Sequence, residues 1–179
     1  MSTGNTARLL AVDRGTLQLG VTVSDDLWKT DPVSEPIWKK NWSIELMNER
    51  CEHTIHAPLG IRFTEQGPNF LAGSLAVGPS VKQPFGVMHG GTSAVLAESL
   101  GSMAAYLTLE GEDSAVLGVE IHVNHIKAVR DGFITGTAVP VHLGNTIQVW
   151  QIDIRDEAQA LVSTSRLTVL VRAKQARPT

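Results

Sequence analysis

The sequence predicts an α+β fold, an antiparallel sheet of about six strands curled around one long central helix. Three observations carry that expectation. From Thr92 onward, Ala94, Val95, Leu96, Ala97, Leu100, Met103, Ala104, Ala105 and Leu107 leave almost no polar face, the pattern of a helix buried all round. Strand-like runs stand on both sides of it, some before and more after. Ala94, Ala97, Gly101, Ala104 and Ala105 recur at helical spacing, so one stripe of the helix would let a sheet approach closely.

In chain order, residues 1–36 read as an N-terminal extension. Thr16 to Val23 alternates there as a strand does, and Asp31-Pro32 and Glu35-Pro36 make a loop. The main domain spans 37–172. Ser43 caps a brief amphipathic helix that runs to Arg50. Leu59 to Thr64 and Phe70 to Val77 read as strands, joined at Glu65-Gln-Gly-Pro-Asn69, where Gly-Pro-Asn is turn chemistry. The central helix follows Gly90-Gly91, with Thr92 or Ser93 as its N-cap. Ala115 to Ile126, Gly132 to Leu143, Thr146 to Arg155 and Leu161 to Val171 then read as a four-strand meander. Arg130-Asp-Gly132, Gly144-Asn145 and Asp156-Glu-Ala158 are each short enough for a hairpin. The tail 173–179 is expected to fray.

Composition narrows the function. With 42% hydrophobic and 18% charged residues in 179, the chain suits one ordinary globular domain rather than a disordered segment. A formal net charge of −3 argues against a nucleic-acid partner. No run of about 18 apolar residues offers a membrane span, and the N-terminus lacks a basic region followed by a long apolar core, so a cytoplasmic location is expected. The single cysteine, Cys51, excludes an internal disulfide. With His53 and His56 nearby there are too few ligands for a metal site, and none is expected. Serine-hydrolase elbows, Walker loops and dinucleotide fingerprints are missing.

One carboxylate stands inside the apolar helix. An unpaired buried charge costs several kcal/mol, so Glu98 either lines a cleft or pairs with a cation such as Arg130. Gly90 and Gly91 lie at the helix start, where the first N–H groups are unpaired and carry a partial positive charge. Glycine there would let a carbonyl come close. A helix N-terminus that can hold an oxyanion, with a carboxylate two turns along, suits acyl transfer.

Lys82-Gln-Pro-Phe-Gly-Val-Met-His-Gly-Gly-Thr-Ser-Ala-Val-Leu-Ala-Glu-Ser-Leu-Gly-Ser102, with Gly118-Val-Glu-Ile-His-Val-Asn-His125 and His142-Leu-Gly-Asn-Thr-Ile-Gln-Val-Trp-Gln-Ile152, resembles the hotdog-fold acyl-CoA thioesterases. Within them it is similar to the 4-hydroxybenzoyl-CoA thioesterase branch, which carries its catalytic glutamate on the central helix. That branch includes the dihydroxynaphthoyl-CoA hydrolases and the enterobactin proofreading thioesterases. The resemblance runs from about Ile37 to Val171 and leaves out residues 1–36.

The resemblance implies a hydrolase that cleaves an acyl-CoA or acyl-carrier thioester, with an aromatic or hydroxyaromatic acyl group. Glu98 would act as nucleophile or as general base to water, and the Gly90 N–H would polarise the thioester carbonyl. Gln83 and His89 would position the thioester. Ser102, Met103 and His125 would lie near the acyl group or the hydrolytic water. By their own chemistry, apart from the resemblance, Lys127, Arg130 or Arg172 would meet the phosphates of coenzyme A or stand simply solvated at strand ends. The site would form between two subunits of a dimer, with dimers pairing into tetramers. Coenzyme A would be part of the substrate, and no separate cofactor is implied.

Plainer readings stand beside these. Ser102 would hydrogen-bond the carbonyl one turn back, His89 would cap the helix, and His122 and His142 would face outward on strands. Trp150 would be core. The alternative function is a non-catalytic hotdog module that binds acyl thioesters as a sensor or packaging subunit, for which Glu98 would be unnecessary.

Overall fold

The computed structural model describes residues 35–111 and 114–173. The strand expected at Thr16 to Val23 and most of the tail lie outside them. The first helix, α1 (Ile44–Arg50), starts where Ser43 Oγ accepts from the Leu46 N–H at 3.2 Å, and it buries Met47. A short α2 (His56–Leu59) follows, so Leu59 ends a helix rather than opening a strand. Strands β1 (Arg62–Gln66) and β2 (Leu71–Ala76) lead to the central helix α3 (Gly90–Leu107). Strands β3 (Ser114–His125), β4 (Phe133–Leu143), β5 (Ile147–Asp156) and β6 (Leu161–Ala173) complete the fold.

All six strands form one antiparallel sheet in the order β1-β2-β4-β5-β6-β3, with α3 packed on one face. This is the expected α+β architecture, but β3 to β6 do not form a simple meander. Segment 126–132 does not turn back on β3. Its Ile126 and Lys127 N–H groups donate to Val162 O, and Val129 O accepts from Met88 N–H at 2.7 Å. Those bonds carry the chain across the sheet end, so β3 pairs with β6 at the far edge and β4 pairs with β2. The crossing also brings 125–130 beside the start of α3.

The two edges of the sheet end differently. At β1, Asn48 of α1 offers its side-chain amide to both backbone groups of Phe63, at 2.9 Å each, which blunts that edge. At the other end β3 is twelve residues long, pairs among the described residues only with β6, and exposes Leu117 and Val119.

Helix α3 is buried on one side only. Leu96, Ala97, Leu100, Gly101, Ala104 and Leu107 are sealed against the sheet, where Trp150, Ile152, Ile154 and Leu167 are fully buried. Ala94, Val95, Glu98, Ser102, Met103 and Tyr106 stay half-exposed. The expectation of a helix buried all round therefore fails for a single chain, because one sheet covers one face. At its C-terminus, Leu107 O accepts from the Lys39 and Lys40 N–H groups at 2.8 and 3.1 Å. No helix among the described residues is long and apolar enough to cross a membrane.

Candidate active site

The entry to α3 is held from two sides. His89 N–H donates to Val81 O at 2.9 Å, Thr92 Oγ1 donates to the same carbonyl, and Met88 is tied to Val129. The N-cap is His89 rather than Thr92 or Ser93. Its Nδ1 accepts from the Gly91 N–H at 2.9 Å, so in the neutral ring the proton sits on Nε2, free to donate outward. The capping reading of His89 and its proposed role at a thioester are thus compatible. Gly90 supplies the first N–H of the helix, which has no acceptor within it. A Cβ built on Gly90 would lie 2.8 Å from His125 Nε2, so the His125 ring fits only over a glycine.

A pocket of about 290 Å³ opens at this helix start, with Gln83, Gly90, His125 and Lys127 around it and Met88 and Val129 among its apolar walls. Four of the sequence-predicted residues therefore share one pocket. Lys127 is engaged there by Asp156, and this hydrogen bond, with the Ala160 backbone N–H, holds the Asp156 carboxyl below its usual range. Arg130 lies outside that pocket, in a neighbouring one of about 280 Å³ with Lys127 and Asp156. A larger cavity of about 520 Å³ between Trp38, Lys40 and Gly67 holds none of the predicted residues.

The second group lies further along the same helix. Ser102 does not bond the carbonyl one turn back; its Oγ donates to Glu98 Oε1 at 3.1 Å. The spacing of four residues sets both side chains on one helix face. Glu98 makes no ion pair with Arg130. In front of the carboxylate stands Gly118 of β3, where an added Cβ would be 2.6 Å from Glu98 Oε1. The β3–β6 register slips beside it, from Gly118↔Val169 to Glu120↔Thr168, so Val119 forms a bulge of the kind that kinks a strand and re-aims its side chains. Met103 is half-buried on the adjoining face and packs against the core.

The predicted residues thus fall into two clusters, one at the first N–H of α3 and one around Glu98. Eight residues of helix separate Gly90 from Glu98, a rise of about 12 Å. Gly118 and the bulge were not singled out from sequence, although a glycine inside a strand pattern is the signal for such a close approach. Cys51, His53 and His56 share a separate pocket near α1 and α2, but among the described residues no three potential ligands are placed to hold a metal ion. His122 and His142 are exposed on strands and Trp150 is fully buried.

Comparison with known proteins points one way. Residues 85–163 match the thioesterase superfamily. The 1,4-dihydroxy-2-naphthoyl-CoA hydrolase of Escherichia coli is 45% identical over 135 residues, covering 75% of this chain and 98% of that protein. A proofreading thioesterase of Cronobacter turicensis is 42% identical over the same shares of the two chains. Among solved structures, a thioesterase from Haemophilus influenzae superposes with a TM-score of 0.77 at 41% identity, covering 80% of this chain and 99% of its own. Another, from Pseudomonas aeruginosa, gives 0.75 at 36% identity, with 76% and 99% covered.

Proposed function

This chain belongs to the thioesterase superfamily and is a thioester hydrolase, and from that premise we propose that it hydrolyses acyl-CoA thioesters with aromatic or hydroxyaromatic acyl groups, in the cytoplasm, through Glu98. The observation that carries this reading is a single carboxylate on an otherwise apolar helix, held by Ser102 and given room by Gly118. Ser102 engages Oε1, which leaves Oε2 for the reacting carbon or for water. The aromatic preference is supported by the dihydroxynaphthoyl-CoA hydrolase among the relatives.

The chemistry follows from the two clusters. A thioester carbonyl placed at the Gly90 N–H meets the positive end of α3, where charge developing on oxygen is stabilised. His89 Nε2–H and the Gln83 amide are the side-chain donors beside it. Glu98 then acts by one of two routes. It attacks the carbonyl carbon to give an anhydride that water cleaves, or it takes a proton from water as that water attacks. In both, the C–S bond breaks and the thiol leaves with a proton.

One chain cannot bring both clusters to one carbonyl across about 12 Å. A second copy resolves this. Among the described residues no strand pairs with the outer edge of β3, which lies beside the half-exposed face of α3, and pairing of two such edges would set Glu98 of one protomer against the Gly90 cluster of its partner. The active unit is then a dimer or a larger assembly of dimers.

Thiol release from benzoyl-, hydroxybenzoyl-, dihydroxynaphthoyl-, phenylacetyl- and straight-chain acyl-CoA tests the reading, with wild type beside Glu98→Gln. Aromatic thioesters should turn over fastest, in fractions that elute as a dimer or larger. Glu98→Gln should lose about 10³-fold in kcat while keeping its fold. A mutant as active as wild type would remove Glu98 from the mechanism, and faster straight-chain turnover would overturn the aromatic assignment.

A further inference from the structure

We propose that Ser93, Ser163 and Ser165 hold ordered water in a buried seam between α3 and β6, and that this seam supplies the water consumed at the Gly90 end of the site. The supply role rests on the thioesterase reading of that site; the water seat does not. The three serines are 0%, 0% and 2% exposed, and their hydroxyls have no hydrogen-bond partner among the described residues. They also lie together. A Cβ on Gly101 would be 2.5 Å from Leu167 Cδ2, and one on Gly90 would be 2.8 Å from His125 Nε2, where His125 is the register partner of Ser163. Helix α3 and strand β6 therefore run in the same direction. Ser163 and Ser165 share with Leu167 the face of β6 that meets the helix, because side chains two apart on a strand point the same way. Four residues of helix rise about 6 Å and two of strand about 7 Å. Stepping back from Gly101 and Leu167 thus sets Ala97 by Ser165 and Ser93 by Ser163.

A buried hydroxyl without a partner gives up its bonds to water and gains none in return, a cost that alanine at the same position would avoid. Hydroxyls facing one another from two elements are instead a setting for buried water, which makes about three hydrogen bonds to groups otherwise left unsatisfied. On the helix side, Ala97 and Gly101 keep the seam lined by small residues. One end of it reaches the site, because Ser93 and Val162 line the pocket of about 290 Å³ that also contains Gly90 and His125. Ser93 is free for this, since His89 caps the helix in its place. A thioester that enters the pocket from solvent closes the outer path to its carbonyl, whereas water held behind Gly90 stays within reach. Each turnover consumes one such water. Its oxygen bonds to the acyl carbon, of the thioester or of the Glu98 anhydride, and its two protons pass to the acid and the thiol.

Two measurements on the intact protein decide this. A high-resolution crystal structure of wild type should show water bonded to at least two of the three hydroxyls, and that water should be lost in Ser163→Ala. Hydroxyls bonded to backbone carbonyls with no water between them, or water that persists in the variant, would overturn the seat. In the second measurement methanol competes with water during turnover. Methanol converts the thioester to methyl ester and thiol, and the ratio of ester to acid is read by chromatography. Methanol arrives from bulk solvent and does not depend on the seam. Ser93→Ala and Ser163→Ala should therefore each raise the ratio about fivefold over wild type, the effect of one lost hydrogen bond. A merely structural role would lower both products alike. A ratio equal in all three proteins, zero included, would overturn the supply role. If no thioester is cleaved, the activity assignment fails, while the crystal structure still decides whether the seam holds water.

Discussion

Gly101 and Gly118 each make room for one side chain, and the two side chains they admit belong to different parts of the protein's task. Gly101 is on the buried face of α3, where a Cβ would lie 2.5 Å from Leu167 Cδ2 and 3.4 Å from Ile152 Cδ1. Both of those residues are fully buried, so nothing there can give way. Gly118 is exposed on β3, and the three nearest atoms its Cβ would meet all belong to the Glu98 carboxylate. One face of the helix is closed by the chain's own sheet and is apolar. The other carries a carboxylate and a hydroxyl beside an open strand edge. The same residue type, on the two sides of one helix, therefore serves packing in one place and chemistry in the other.

The comparison breaks if the two glycines respond alike. Gly118→Ala should have the larger effect, on activity. The methyl pushes the end of a flexible carboxylate aside, which costs the fold little, but a misplacement of about 1 Å can cost on the order of 100-fold in kcat. Thiol release beside a thermal melt checks this, with Tm expected to stay within about 2 °C of wild type. Full activity in this variant would mean that the carboxylate has room to spare. Gly101→Ala should do the reverse. Alanine gains up to about 1 kcal/mol of helix propensity, but overpacking a sealed core costs roughly 1–3 kcal/mol. A net loss of about 1 kcal/mol in urea unfolding is expected, with kcat per folded molecule unchanged.

Legibility in the sequence follows the same division. The apolar period of α3, the Ser43 cap and the six strands could be read because each is a local pattern, and their bounds moved by only a few residues. Where β3 pairs could not be read, since alternation marks a strand but not its neighbour; that choice is made by bonds from segment 126–132 to Met88 and Val162. At the site, Gly90 and Glu98 stand out because a glycine pair and a lone carboxylate are conspicuous in an apolar run. Gly118, the bulge at Val119 and the bond from Ser102 to Glu98 depend on a register slip and a rotamer. Only Gly118 leaves a mark along the chain, a glycine inside a strand pattern, and that mark does not say which side chain comes close.

His56 gives the smallest effect and extends the comparison to the opposite edge of the sheet. Its ring is 8% exposed, lies 5.3 Å from that of Phe63 on β1, and its Nδ1 has no hydrogen-bond partner among the described residues. Burial pushes its pKa below the ordinary 6.5. Above that value the ring is neutral in both folded and unfolded chains and contributes no pH dependence. As pH falls below 6.5 the unfolded chain takes up a proton that the native ring resists, so stability declines until the lowered native pKa is passed. Glu45 and Asp156 titrate below their ordinary values of 4.5 and 3.8, which leaves the interval just under 6.5 clear of them. Urea midpoints measured from pH 7 to 5 should therefore fall in wild type and fall less in His56→Leu. The pH profile of kcat should be the same in both proteins, because His56 lies at the edge that α1 covers and Glu98 at the edge left open. A shifted kcat profile in His56→Leu would mean that the two edges are coupled through the sheet, and the separation drawn from Gly101 and Gly118 would then hold for packing but not for charge.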